Sequence, residues 1–215
     1  EGIHMDFKDM TVGEFARGIG AELPVAGGGS AAALSGAYGA ALVSMVSRKT
    51  ISNNKYTNVK HRFQEVDRQC AVLRESLLDD IQNDIDSFRK YKTALALPKV
   101  TQEESAVRNA AMQNGLKAAV QTPLEVAEKS VKALALCREA IEKGNRNAGP
   151  DALVGALLLR AAILGAVYNI RINVKTITDE PYRREMLNRA KDLEETAIRQ
   201  EAEILSLLPE LTHTK

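Results

Sequence analysis

Apolar side chains recur along most of this chain at intervals of three and four residues, the spacing that gathers them on one face of a helix. The longest such stripe runs Val66, Cys70, Leu73, Leu77, Ile81, Phe88, Tyr91 and Leu95. It predicts a long helix that follows a connector at about Ile51 to Thr57 and ends near Leu97, where Pro98 breaks it. Two segments are apolar on every side: Leu23 to Ser47 has no charged residue, and Ala152 to Ile170 has only Arg160. The first is too rich in Gly, Ser and Ala for a bilayer, and an arginine near the middle of the second is costly in lipid. Both predict helices buried inside a bundle, with no membrane partner.

Capping residues punctuate this pattern. Thr11 and Glu14 form a capping box for a short first helix that ends around Gly18 to Gly20. Ser30 is suited to cap the small-residue helix Ala31 to about Ser47, in which Ala32, Gly36 and Ala40 recur every fourth residue and invite close helix packing. Thr101 and Glu104 form a second capping box for a helix to about Val120, and Thr122, Pro123 and Glu125 signal a new start. Gly144 is a natural stop, the loop Asn145 to Pro150 follows, and Asp151 can cap the apolar helix to about Ile177. A last amphipathic helix is expected from near Tyr182 to Leu208, before Pro209. No strand alternation, internal repeat or long linker interrupts the series. The expectation is an all-α, multihelical bundle of about six or seven helices, one domain over 5–215, with Glu1-Gly2-Ile3-His4 read as a cloning remnant ahead of Met5.

Composition narrows the function classes. The 215 residues suffice for one substantial core, and 45% hydrophobic with 27% charged residues suits a globular domain. A net charge of +1 gives no reason to expect nucleic acid. Cys70 and Cys137 are isolated and make no zinc or redox spacing, and no signal peptide is visible, so a reducing, cytoplasmic setting is expected. His61 is the only histidine away from the ends, which argues against a His triad or a multi-His metal site.

One position on the long stripe breaks it. Asp84 lies between Ile81 and Phe88, so the helix should turn a carboxyl group at least partly inward. Burial raises such a pKa and a neighbouring cation lowers it. A sheltered carboxyl can serve as a general acid or base near neutral pH. The structural alternative is an ion pair with Arg160 or Lys99. Asp79, Asp80 and Asp86 lie on other faces and are expected in solvent.

The run Gly27-Gly28-Gly29-Ser30 ahead of the small-residue helix is the second candidate. Glycines reach backbone angles closed to other residues and let a group approach the main chain. The free N–H groups of the helix start favour an anionic or carbonyl-rich ligand. The alternative is a tight loop entering a buried helix. There is no Walker A loop and no GxGxxG after a strand, so this is not a nucleotide motif. Lys99, just past Pro98, can enter a cleft or cap a helix end. The acid-free stretch Arg48 to Arg62 is either a solvated connector or an attractor of ligand carboxylates. Asn145, Asp151, Asn169 and Asn173 are polar groups around the apolar helix that need partners, in the protein or in a ligand.

Taken together these segments resemble the formiminotransferase-cyclodeaminase C-terminal family, which includes methenyltetrahydrofolate cyclohydrolases. The resemblance spans about Phe7 to Leu205. It rests on Pro24 with Gly27 to Ala33, then Gly39 to Val46, Asp84-Ile85-Asp86-Ser87-Phe88 and Leu97-Pro98-Lys99. Arg108, Pro123-Leu124, Gly144-Asn145, Asp151 and Asn169 to Asn173 complete it. It implies a dimeric, all-helical enzyme of one-carbon folate metabolism. Its substrate is a tetrahydrofolate derivative that can carry a polyglutamyl tail, and no metal or redox cofactor is needed. The family's D-x-x-x-F aspartate, the proposed acid/base group, falls on Asp84. Gly27, Gly28, Gly29 and Ser30 are then expected to bind the pterin, Lys99 and the basic connector the glutamyl tail, with Asn145, Asp151 and Asn173 as further binding residues.

Two reactions compete. The cyclohydrolase branch often shows four glycines and a Gly-Lys-Lys-Lys-Tyr segment, whereas here Ser30 follows three glycines and the segment reads Ser52-Asn53-Asn54-Lys55-Tyr56. Gly144-Asn145 and Asp179-Glu180 are closer to the cyclodeaminase branch. The resemblance therefore favours the cyclodeaminase, which makes 5,10-methenyltetrahydrofolate and ammonia from 5-formiminotetrahydrofolate, with a separate formiminotransferase supplying that substrate. The cyclohydrolase is the alternative. A non-catalytic folate-binding scaffold is a third, which the missing lysines near Asn53 would fit.

Overall fold

The computed structural model describes residues 7–22 and 26–207. Pro24, Val25, the stretch Glu1 to Met5, Leu208 and Pro209 lie outside the described residues. Among the described residues six α-helices follow one another: α1 (Val12–Ile19), α2 (Gly28–Ile51), α3 (Lys60–Leu95), α4 (Gln102–Lys143), α5 (Gly149–Asn173) and α6 (Glu180–Ser206). Short 3-10 turns join some of them, and no strand occurs among the described residues.

Both capping boxes form as expected. Thr11 and Thr101 each accept from the backbone of the residue three places on, and Glu14 and Glu104 reach back to the cap. Three boundaries differ from expectation. Gly27, not Ser30, precedes the first turn of α2, which begins at Gly28. Ala148, not Asp151, precedes α5, and Pro150 occupies its first turn. The helix restart expected at Pro123 does not occur, because α4 runs unbroken through it. A proline inside a helix leaves the carbonyl four residues earlier without its donor. Here that carbonyl belongs to Ala119, and the Asn173 side-chain amide donates to it at 2.7 Å.

Side-chain contacts fix an up-and-down arrangement. Ser30 meets Asp84 at one end of the α2–α3 pair and Ser44 meets Asp67 further along, so the two helices are antiparallel. Lys129 with Asp80, and Arg108 with the Leu95 carbonyl, set α4 antiparallel to α3. α2 is the central helix, packed on α3, α4 and α5. Its small residues make this possible. A Cβ on Gly36 would lie 2.8 Å from Ser130 Oγ, and one on Gly39 would lie 2.9 Å from the Gly155 carbonyl oxygen. α2, and α5 with its flanking turns, are long and apolar enough to cross a membrane by length and composition.

The inward stripe of α3 holds at Val66, Cys70, Leu77 and Ile81, which are buried, while Phe88 is 52% exposed. Asp80, expected in solvent, is fully buried and pairs with Lys129 at 2.6 Å. Asn83 donates to its other oxygen at 3.2 Å. The partner comes from α4, so no local pattern in α3 announces the pair. Burial raises the Asp80 pKa, and Lys129 opposes that rise.

Candidate functional site

A cleft of about 240 Å³ opens where the start of α2 meets the middle of α3 and the end of α5. Gly27, Gly28 and Gly29 form one wall, Asp84 and Phe88 a second, and Asn169 and Asn173 a third. The stripe-breaking aspartate and the glycine run, 54 residues apart, are thus brought together.

Asp84 accepts a hydrogen bond from Ser30 Oγ at 2.7 Å, and the Ser30 backbone N–H donates to it as well. A side chain from α3 therefore takes up a donor that the first turn of α2 leaves free. The positive end of the α2 dipole favours the negative charge there. Burial nevertheless dominates and raises the Asp84 pKa, with the two Ser30 bonds pulling it back. The ion-pair alternative is not what the structure shows. Arg160 is bound to Glu201 at 2.6 Å, and Lys99 is exposed and outside the cleft.

The glycines act by clearance, not by unusual backbone angles. No described residue has a positive φ. A Cβ on Gly29 would fall 2.2 Å from Asp84 Oδ1 and 2.7 Å from Cγ, so only hydrogen fits there. Gly28 faces Asn169, 3.8 Å from where its Cβ would be, and Gly27 faces open space.

The two asparagines are held by their own walls. Asn169 donates to the Gly165 carbonyl at 2.8 Å, and Asn173 donates to the carbonyl of Ala119, which also lines the cleft. Among the described residues their amide oxygens have no donor, so they are available to N–H groups of a ligand. Asn169 and Phe88 also line the cleft, although the sequence analysis gave neither a binding role. The Asn169 to Asn173 spacing of four on an otherwise apolar helix was the available signal.

Asn145 and Asp151 are not part of this cleft. Asp151 pairs with Lys49 at 3.3 Å, and the Asn145 amide donates to the Lys49 carbonyl at 3.2 Å. Lys49 is 21 residues along α2 from Gly28, hence about 30 Å away in the same subunit. The basic stretch is also largely engaged elsewhere: Arg48 pairs with Asp67, and Arg62 with Glu139. A wider groove of about 610 Å³ between α3 and α4 is lined by Asn83, Asp86, Arg89, Lys90, Thr93, Thr122 and Glu125. It lies on the side of α3 away from Asp84, and its Arg89 is already bound to Asp86 at 2.9 Å. Among the described residues no three His, Cys, Asp or Glu side chains gather to hold a metal ion.

The arrangement offers one sheltered carboxyl group with no cation beside it among the described residues, next to a glycine wall that a flat polar ring can approach. Comparison with known proteins points to one family. Residues 11–192 match the model of the formiminotransferase-cyclodeaminase family. A methenyltetrahydrofolate cyclohydrolase of Methylorubrum extorquens is 38% identical over 183 residues, 85% of this chain and 88% of the relative. A formimidoyltransferase-cyclodeaminase of Gallus gallus is 34% identical over 197 residues, 92% of this chain but 36% of that longer protein. The crystal structure of a formiminotetrahydrofolate cyclodeaminase from Thermotoga maritima superposes with a TM-score of 0.86 at 25% identity, covering 96% of this chain and 99% of the other. Family match, fold and relatives coincide over almost the whole domain: the chain is a member of the formiminotransferase-cyclodeaminase family.

Proposed function

We propose that this enzyme of folate chemistry is a formimidoyltetrahydrofolate cyclodeaminase with Asp84 as its acid/base group. The observation that carries the reading is the Asp84 carboxyl, raised in pKa by burial, held by Ser30 and without a cation beside it among the described residues, facing a glycine-walled cleft. In 5-formiminotetrahydrofolate, whose basic formimino group enters as the protonated amidinium, N10 attacks the formimino carbon and forms the new C–N bond. The N10 proton passes to the Asp84 carboxylate. Asp84 then returns it to the formimino nitrogen, the bond from that nitrogen to carbon breaks, and ammonia leaves with 5,10-methenyltetrahydrofolate behind it. One group can serve both transfers because burial raises its pKa and so eases its protonation relative to an exposed carboxylate. Fixing the bridge in the cleft makes the closure effectively intramolecular. The amide oxygens of Asn169 and Asn173 accept from the pterin.

The cleft is smaller than the roughly 300–1,000 Å³ that encloses a whole ligand of this size. It takes the pterin and the one-carbon bridge and leaves the remainder outside. A second reading, cyclohydrolase, is favoured by the Methylorubrum relative. There the same carboxylate takes a proton from the water that attacks the methenyl carbon and gives it to N5 as the bond from N5 to that carbon breaks, while the new hydroxyl loses its proton to solvent and leaves the 10-formyl compound. The deciding experiment incubates purified protein with each substrate. Ammonia and methenyltetrahydrofolate appearing in equal amounts from the formimino compound is the expected result. Hydrolysis of methenyltetrahydrofolate alone moves the assignment to the second reading, and neither reaction removes both.

A homodimer completes the proposal. α5 is apolar on all sides, yet Val154, Leu157, Tyr168 and Ile172 are exposed along its outer face. A contiguous apolar face of this kind marks an interaction surface, and a second copy of the chain, related by a twofold axis, covers it. Sedimentation at twice the monomer mass is expected, and a monomer at micromolar concentration would remove the dimer.

A further inference from the structure

Asp84, Phe88 and Lys92 stand one turn apart on nearly the same face of α3. Phe88 lines the cleft but keeps 52% of its surface exposed. Lys92 Nζ lies 5.1 Å from the centre of the Phe88 ring. None of the described residues gives Lys92 a carboxylate partner, whereas Arg89 is bound to Asp86 and Lys90 faces the groove on the other side of the helix. The ammonium is exposed and held only over an aromatic face, a contact readily exchanged for an anion.

We infer that this acid–aromatic–cation ladder is a ruler for the folate substrate, with Lys92 binding the α-carboxylate of its first glutamate. The inference rests on the folate reading above and replaces Lys99 as the cation for the tail. Eight residues of helix separate Asp84 from Lys92, about 12 Å along the axis. From N10 across the aminobenzoyl ring to the first glutamate carboxylate is roughly 10 Å by standard bond lengths. With the one-carbon bridge at Asp84, the aminobenzoyl ring leaves the small cleft over the open part of Phe88, where ring–ring packing is favourable. The carboxylate then arrives within reach of the flexible Lys92 side chain.

The test compares a folate substrate with its tetrahydropteroate counterpart, which lacks the glutamate, in wild type and in Lys92→Ala, Lys92→Glu and Lys92→Arg. Lys92→Ala should raise KM for the folate by about tenfold, the usual size of a lost hydrogen bond to a charged group. Its kcat should move much less, Lys92→Glu should raise KM further, and Lys92→Arg should restore most of the affinity. On the pteroate the Ala and Glu penalties should shrink to within about twofold, because the charge partner is missing. Lys90→Ala, on the opposite face, should alter neither KM. Equal KM changes on both substrates, or none in Lys92→Glu, would overturn the ruler while leaving the folate reading standing. Wild-type protein that turns over neither substrate would overturn the reading itself.

Discussion

Asp84→Asn is expected to lower kcat by about 10²- to 10⁴-fold, the range for loss of a positioned general acid or base. The fold should survive it. Asparagine has nearly the same shape, and its amide oxygen still accepts from Ser30 Oγ, which donates at 2.7 Å in the native site. Stability supplies a second, independent readout with a definite sign. Burial raises the Asp84 pKa above its ordinary 3.8, so the folded state holds this proton more tightly than the unfolded chain. The unfolded chain then binds fewer protons between the two pKa values, and stability falls as pH rises through that window. The cost is fully present above the folded pKa and absent below 3.8. An asparagine side chain in its place cannot ionise. The variant should therefore melt at a higher temperature than wild type at neutral pH, and the difference should close on acidification. A variant that keeps its turnover would remove Asp84 from the chemistry. A variant that melts lower at pH 7 would mean that the Ser30 bonds outweigh burial.

Much of this site was legible before any coordinates, for physical reasons. A carboxylate in phase with an apolar stripe has to be sheltered or partnered, and Asp84 is sheltered. A run of glycines ahead of a helix signals close approach, and Gly29 has Asp84 against it. What escaped depends on contacts between distant segments. Asp80 shows no local sign of Lys129 on another helix. Pro123 looked like a helix start because nothing nearby predicts that Asn173, fifty residues later, satisfies the Ala119 carbonyl it frees. The freed carbonyl also holds an asparagine in the cleft wall. Asn145 and Asp151, expected as binding residues, do not line this cleft. Asp151 lies in the first turn of α5, at the end away from the cleft, and both residues meet Lys49 near the end of α2, a contact between distant segments.

Gly29→Ala should separate the position of the carboxyl from its presence. The added Cβ would fall 2.2 Å from Asp84 Oδ1 and 2.8 Å from Oδ2, a separation that atoms do not tolerate. The backbone there is an ordinary helical turn with negative φ, so alanine is unstrained and gains about 1 kcal/mol of helix propensity over glycine. The cheapest relief is rotation of the Asp84 side chain away from Ser30. A displacement of this order costs about 10²-fold in rate when the group must meet a reacting atom. The expected result is a large fall in kcat with a melting temperature close to that of wild type, the reverse of what a packing defect produces. Combining the change with Asp84→Asn sharpens the test. If Gly29 matters only because it makes room for the catalytic carboxyl, the double variant should be no slower than Asp84→Asn alone, and the coupling between the two positions should nearly equal the whole effect of Gly29→Ala. Fully additive losses would instead place Gly29 in direct contact with the folate and leave the placement of Asp84 to other residues.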